Sequence, residues 1–351
     1  MARFQPRMLK KSAEVLAGLA VLVAGFACTH TPATPPASGG ALNPLRAQAL
    51  KVLAPLPSAE LPSDSLAQER VELGRKLFFE AAVGIDGKTS CATCHLPERY
   101  GAETAAKSTG VLGRAHIHNA PTVFNCGLES SQGWRGQHAT VEEQAEELLV
   151  SPVVAGNSSV AEVMKRLGAK GYEPAFRAAF PDEKQPLSAE SFGVAVGAFE
   201  RTLITPGPFD RFLNGDDAAL SAQAQRGLST FLEVGCAKCH DGAGVGGTRL
   251  TTFGVHSSYW EATGSAVHDN GRFEVTKQEA DRYVFKVPSL RNVAETAPYF
   301  HDGSVATLDA AMRVVGQTQL GKPLTDAQAA DIAEFLRSLT GQKPASFSPP
   351  Q

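Results

Sequence analysis

Apolar side chains recur three or four positions apart in five stretches of the chain, which is the spacing of the buried face of an amphipathic helix. A serine, threonine or aspartate precedes each stretch, and these residues favour helix N-termini because their side chains accept a bond from a free backbone N–H. We therefore predict five helices, starting after Ser63 or Asp64, Thr140, Ser188, Ser221 and Thr325. Gly341 is predicted to cap the end of the last one.

The segments between these helices are rich in glycine and have little helical periodicity, above all residues 95–119 and 241–290. Two short runs, Arg272-Phe-Glu-Val-Thr276 and Tyr283-Val-Phe-Lys-Val287, are predicted to pair as strands. The pattern indicates a mainly α protein with long loops and a few short strands. Gly74-x-x-x-Phe78 and Gly227-x-x-x-Phe231 begin the two halves alike, which suggests a duplication.

The first 27 residues have the composition of an export signal. Four basic residues (Arg3, Arg7, Lys10 and Lys11) precede an apolar run over residues 15–27 that is short for a membrane span. Cys28 follows at a position that resembles a lipoprotein cleavage site, so the mature protein is either anchored by lipid at Cys28 or free in the periplasm. Residues 28–60, rich in proline and small residues near their start, are predicted to be a tether.

Charge limits the choice of partner. Removing residues 1–27 takes away four basic residues and Glu14, so the net charge falls from −3 to −6. A nucleic acid is therefore excluded as a partner, whereas a small electron carrier with a basic rim is favoured.

Two copies of one five-residue pattern carry the chemistry: Cys91-Ala-Thr-Cys94-His95 and Cys236-Ala-Lys-Cys239-His240. In C-x-x-C-H the two thiols can bond one haem while the histidine reaches its iron. The alternatives are a zinc half-site, which needs four ligands, and a redox dithiol, which needs no adjacent histidine. Two such copies favour two covalent c-type haems.

One haem motif falls in each predicted domain, residues 61–215 and 216–342, and a tail of residues 343–351 follows. Cys126 remains outside both motifs and is predicted to be a buried, unreactive side chain.

With the haem motifs placed, six further stretches resemble the bacterial di-haem cytochrome c peroxidases, in order and in spacing, over residues 61–341. They are Glu72-Leu-Gly-Arg-Lys-Leu-Phe-Phe79, Asn119-Ala-Pro-Thr122, Arg201-Thr-Leu-Ile-Thr-Pro206, Gly271-Arg-Phe, Val287-Pro-Ser-Leu-Arg-Asn292 and Thr296-Ala-Pro-Tyr-Phe-His-Asp-Gly303. The MauG-type enzymes, which oxidise tryptophans of a partner protein, belong to the same superfamily. The resemblance implies two cytochrome-c-like haem domains.

The resemblance also assigns roles to residues. His95 would bind the iron of a peroxide-reducing haem and His240 that of an electron-entry haem. Trp134 would lie between the two haems, Gln144 would line the peroxide pocket, and His301 would adjoin the second haem. A calcium ion would bind the Asn119 side chain and the backbone carbonyls of Thr296 and Pro298, oxygen ligands that suit calcium.

Three positions depart from the family pattern. Val154 stands where the family has its distal glutamate, and valine cannot carry a proton. Val111 stands where many members have a histidine that leaves the iron on activation; His116 or His118 in the same loop could replace either function. Val315 stands where the second haem has its sixth ligand, and Met312, one turn earlier, could take that place.

These features together predict an oxidoreductase that reduces hydrogen peroxide with electrons from a small cytochrome c or cupredoxin, slowly because of Val154. Two alternatives remain: a di-haem protein for electron transfer or redox sensing, and MauG-like oxidation of a protein partner. The resemblance also implies a homodimer.

Overall fold

The computed structural model describes residues 43–58 and 62–350, which belong to one compact unit. Within these residues the chain is mainly helical, as predicted. Its α-helices are α1 Pro44–Ala49, α2 Ser65–Phe79, α3 Val141–Leu148, α4 Val160–Ala169, α5 Glu173–Ala179, α6 Ala189–Glu200, α7 Pro208–Leu213, α8 Ala222–Val234, α9 Tyr259–Thr263, α10 Phe273–Thr276, α11 Leu308–Thr318 and α12 Asp326–Arg337. The strands β1 Leu250–Thr252 and β2 Val284–Lys286 pair antiparallel.

The five helices predicted from apolar spacing are α2, α3, α6, α8 and α12, and each is capped by a residue named from the sequence. The caps are Asp64, Thr140, Ser188, Ser221 and Thr325, whose side chains each accept a backbone N–H of the first turn. The cap positions could be read from sequence because the capping bond is local.

Two helix crossings of the same kind organise the two halves. In the first, Gly74 of α2 meets α6 so closely that a Cβ would lie 1.8 Å from the carbonyl oxygen of Ala195. In the second, a Cβ on Gly227 of α8 would lie 1.9 Å from the carbonyl oxygen of Asp331 on α12. The repeated glycine therefore marks the same close contact in both halves.

Each crossing anchors its own apolar cluster. The first lobe packs Leu77, Phe78, Phe192 and Phe199 together with α3 to α5. The second packs Leu228, Phe231, Phe335 and Leu336. A smaller third cluster contains Tyr299, Val305 and Val314.

Both ends of the described chain depart from the predicted domain plan. Residues 43–58 were expected to belong to the tether, but α1 places Ala49 in the second lobe's cluster. Helix α7, expected to precede the domain boundary near Gly215, packs Phe209 and Phe212 into that same cluster. The predicted tail returns to the first lobe, where Phe347 is buried against Phe124 with ring centroids 4.9 Å apart.

Two local predictions are wrong. The segment Phe273–Thr276 is helix α10, and β2 pairs with β1 instead. Gly341 does not cap α12, which ends at Arg337 with Ser338 as C-cap. Gly341 is needed for close packing, because a Cβ there would lie 2.0 Å from the carbonyl oxygen of Thr205.

Among the described helices, none combines the length and the apolar character that crossing a bilayer requires. The predicted export signal and Cys28 lie outside the described residues.

Candidate haem sites

The first C-x-x-C-H motif forms a tight turn that directs its histidine inward. Cys91–Thr93 is a short 3₁₀ helix, and the His95 N–H donates to the Cys91 carbonyl at 3.0 Å. His95 Nδ1 lies 3.0 Å from the Gly101 carbonyl oxygen, which leaves Nε2 free to bind a metal. Burial lowers the pKa of His95, which favours the neutral imidazole that serves as a ligand.

A cavity of about 1380 Å³, including its opening to solvent, lies beside this motif. Cys91, Cys94 and His95 all line it. Burial raises the pKa of Cys91 to about 12 and that of Cys94 to about 11. A reactive dithiol typically has lowered thiol pKa values, so the raised values of these two cysteines are not typical of a redox dithiol.

The second motif repeats this arrangement. Cys236–Lys238 is a 3₁₀ helix, and His240 Nδ1 lies 3.3 Å from the Val245 carbonyl oxygen. Burial lowers the pKa of His240 to about 4 and raises that of Cys236 to about 12. In the described ranges no three His, Cys, Asp or Glu side chains converge on a metal position.

The wall of the first cavity places the predicted peroxide-site residues together. Gln144 from α3, Trp134 from the preceding loop and Val154 from the following loop all line it. Leu148 and Val153 also line it. The valine at position 154 has no titratable group, so its side chain cannot exchange a proton.

The loop after the first motif is held against the same wall. Val111 is fully buried and its N–H donates to the Val153 carbonyl at 2.9 Å. His116 and His118 line the cavity, but His118 Nε2 lies 2.6 Å from Asp269 Oδ2. Arg135 contacts the other carboxylate oxygen of Asp269 at 2.8 Å. His118 is therefore held by Asp269, which also binds Arg135.

Trp134, in the cavity wall, contacts three other segments of the chain. Its indole N–H donates to the Asn119 carbonyl at 2.8 Å, and its own carbonyl accepts from the Lys286 N–H at 2.8 Å. Its ring centroid lies 6.4 Å from that of His301, a buried side chain whose Nε2 has no hydrogen-bond partner among the described residues. Burial lowers the pKa of His301 to about 4.

The predicted calcium ligands come from two adjoining segments. The Asn119 N–H donates to the His301 carbonyl at 2.7 Å, which brings Asn119 next to the segment that contains Thr296 and Pro298. The Asn119 amide nitrogen donates to Ala105, so its Oδ1 is the side-chain atom left for a cation. Calcium binding here stays a prediction.

Both side chains considered as sixth ligand of the second haem lie on α11. Met312 is buried in the second lobe's cluster with Ala237, which lies within the second motif, and Val245, which follows it. Val315 is half-buried. The choice between them stays a prediction.

Several buried polar residues of the first cavity were missed from the sequence. Glu200 accepts a 3.6 Å contact from the Cys126 thiol, and Glu129 pairs with Lys286. His138 also lines the cavity. Cys126 is buried, as predicted. The sequence signals were weak: Glu200 ends the apolar stripe of α6, and its partner Cys126 is distant in sequence. His138 follows Trp134 closely, and no motif links it to Glu147.

Comparisons with known proteins show which haem proteins this chain is similar to. A family model described as di-haem cytochrome c peroxidase matches residues 68–218, and a cytochrome c model matches residues 224–340. Cytochrome c551 peroxidase of Pseudomonas aeruginosa is 39% identical over 316 residues, covering 89% of this chain and 90% of that protein.

Two further relatives belong to the MauG group. Methylamine utilization protein MauG of Methylorubrum extorquens is 31% identical over 312 residues, covering 82% of this chain and 83% of that protein. The crystal structure of a MauG-like protein associated with microbial copper homeostasis superposes with a TM-score of 0.72 at 28% identity, covering 85% of this chain and 96% of that one.

Proposed function

Because the chain belongs to the di-haem cytochrome c peroxidase family, we propose that it reduces hydrogen peroxide to water at the first cavity with electrons that enter through the second lobe. The observation that carries this proposal is that Cys91, Cys94, His95, Gln144 and Trp134 all line one cavity. It combines haem attachment, an axial ligand and a polar group for the substrate.

The residues present fit a c-type haem in each lobe. Cys91 and Cys94 would hold the first haem with His95 as its axial ligand, and Cys236, Cys239 and His240 would do so for the second. Bound haem supplies iron that exchanges electrons and binds peroxide.

The side chains of the first cavity can bind and orient the substrate. The Gln144 amide can donate a hydrogen bond to a peroxide oxygen and accept one from it, but an amide does not exchange protons at neutral pH. Trp134 is held between Asn119 and Lys286, which fixes an aromatic ring at the cavity wall on the side of β2. We propose that electrons pass this ring on their way from the second lobe.

The proposed electron donor is a small cytochrome c or cupredoxin in the periplasm. The acidic mature chain favours a donor with a basic contact surface. The predicted export signal of residues 1–27 supports the periplasmic location. A lipid anchor at Cys28 and a homodimer are further proposals that rest on sequence and resemblance.

Turnover is expected to be slow because Val154 cannot carry a proton. Val154→Glu should raise the rate of peroxide reduction, since a positioned acid–base group contributes about 10²–10⁴-fold. Steady-state oxidation of a reduced small cytochrome c by hydrogen peroxide measures this rate.

Val150→Glu provides the matched control. Val150 is exposed, so this substitution adds the same charge outside the cavity. Equal rates in the wild type and in Val154→Glu would contradict the proposed role of position 154.

A further inference from the structure

Most titratable side chains of the first cavity are already engaged with a buried partner. His118 is bound to Asp269, Glu129 to Lys286, and Glu200 to the Cys126 thiol. The His116 ring contacts the backbone of His118, from whose N–H its Nδ1 lies 3.0 Å. None of these contacts leads directly to an exposed acid or base.

His138 differs from them because its partner reaches solvent. Its side chain is 9% exposed and lines the cavity, while its Nδ1 lies 3.0 Å from Glu147 Oε2. The Glu147 side chain is 57% exposed. In the described part of the chain, His138 Nε2 makes no hydrogen bond.

The backbone holds His138 in place. The Gln132 N–H donates to the His138 carbonyl at 2.8 Å, and the His138 N–H donates back at 3.4 Å. Glu147 lies one helical turn after Gln144 on α3, so the carboxylate and the substrate-binding amide share one rigid element.

The contact between His138 and Glu147 is short but poorly aligned, since Nδ1 makes no hydrogen bond of good geometry. Catalytic hydrogen bonds are often misaligned in the absence of substrate. The exposed Glu147 carboxylate can rotate to accept from Nδ1 without disturbing the core.

We propose that His138 and Glu147 form a proton relay between solvent and the first cavity, one that delivers protons more slowly than a glutamate at position 154 would. This inference rests on the proposed peroxide reduction. Reduction of one hydrogen peroxide breaks its O–O bond, consumes two electrons and two protons, and yields two water molecules. The reduced redox protein supplies the electrons, and the protons pass from solvent to the Glu147 carboxylate and then to the His138 imidazole.

The first test replaces His138 with glutamine in the haem-loaded protein. We expect the rate of peroxide reduction to fall by about 10²–10⁴-fold, as for the loss of an acid–base group. His256→Gln is the matched control, because His256 is exposed and lies outside the cavity. Soret absorbance and the thermal midpoint verify that each variant holds its haems and folds.

A second measurement does not depend on turnover. Hydrogen cyanide loses its proton when cyanide binds to haem iron, so a base in the cavity speeds binding at neutral pH. His138→Gln should slow cyanide binding to the oxidised protein, and added imidazole should restore the rate in His138→Gly.

Glu147→Gln tests the outer half of the relay without altering the buried wall. It should lower the peroxide rate less than His138→Gln does, and a high concentration of a small buffer should restore it. Failure of buffer to restore the rate would overturn the role of Glu147.

The outcomes separate the relay from the proposed function. An active wild type whose peroxide and cyanide rates are unchanged in His138→Gln would overturn the relay alone. A wild type inert to peroxide, with cyanide binding slowed in His138→Gln, would contradict peroxide reduction and support His138 as the cavity's base.

Discussion

At the scale of single residues, Glu200 is a buried carboxyl group in the first lobe. It is buried at the end of α6, lines the cavity and contacts the Cys126 thiol. Burial raises its pKa to about 8 because the charged carboxylate loses its hydration. Glu200 is therefore mostly protonated at neutral pH.

This protonation predicts a pH dependence of stability. Between the unfolded pKa of 4.5 and the folded pKa of about 8, the native state binds more protons, so the free energy of unfolding falls as pH rises. Glu200→Gln should remove that decline. Denaturant unfolding of the haem-loaded protein from pH 5 to pH 8 measures it.

Glu190→Gln serves as the control, because Glu190 is exposed on the same helix. If Glu200→Gln shows the same decline with pH as the wild type, the carboxyl is not held protonated by burial.

Residues that act through a local motif could be identified from the sequence, and residues that act through a tertiary contact could not. Each C-x-x-C-H motif contains its haem-binding side chains within five consecutive residues. The roles of His138 and Glu200 depend on contacts with Glu147 and Cys126, which lie on other elements. The resemblance supplied Gln144 and Trp134, which line the cavity, but it did not point to His138.

At the scale of elements, the long capped helices were predictable and the short ones were not. An apolar stripe and a cap define α12 from its own residues. In contrast, α10 is four residues long, and its sequence Phe-Glu-Val-Thr fits a strand equally well.

A buried ion pair holds several of these elements together. Arg291 contacts Asp210 at 2.8 Å, with side chains 0% and 4% exposed. Arg291 Nε also donates to the Ala243 carbonyl, and Asp210 accepts the N–H groups of Leu56 and Gly207. The pair thus joins the segment before α2, the start of α7 and the loop after the second haem motif.

Removing the arginine should destabilise the protein strongly. Arg291→Met leaves the Asp210 charge buried without its partner, which costs about 3–5 kcal/mol. Thermal and denaturant unfolding of the haem-loaded protein measure the loss.

Arg313→Met is the comparison, because the Arg313–Asp309 pair is exposed and such pairs contribute about 0–1 kcal/mol. Equal losses in the two variants would show that Arg291 does not hold the elements together.

At the scale of the whole molecule, each end of the described chain packs on the lobe that is farther from it in sequence. Helix α1 packs on the second lobe, and Phe347 packs on Phe78, Phe124 and Phe199 of the first. Neither contact was predictable, because one helix of six residues and one phenylalanine in a proline-rich tail show no periodicity. The two-lobed plan was predictable because each lobe contains its own haem motif and helix crossing.

The central claim is that this two-lobed scaffold reduces peroxide at the first cavity although position 154, where the resemblance predicts a glutamate, is a valine. Stopped-flow absorbance tests it most directly, with the protein carrying both haems mixed with hydrogen peroxide in the oxidised and half-reduced states. We predict a change of the Soret band that a reduced small cytochrome c reverses, slower than in Val154→Glu. Unchanged spectra at both redox levels, with both haems verified as present, would contradict peroxide reduction by this protein.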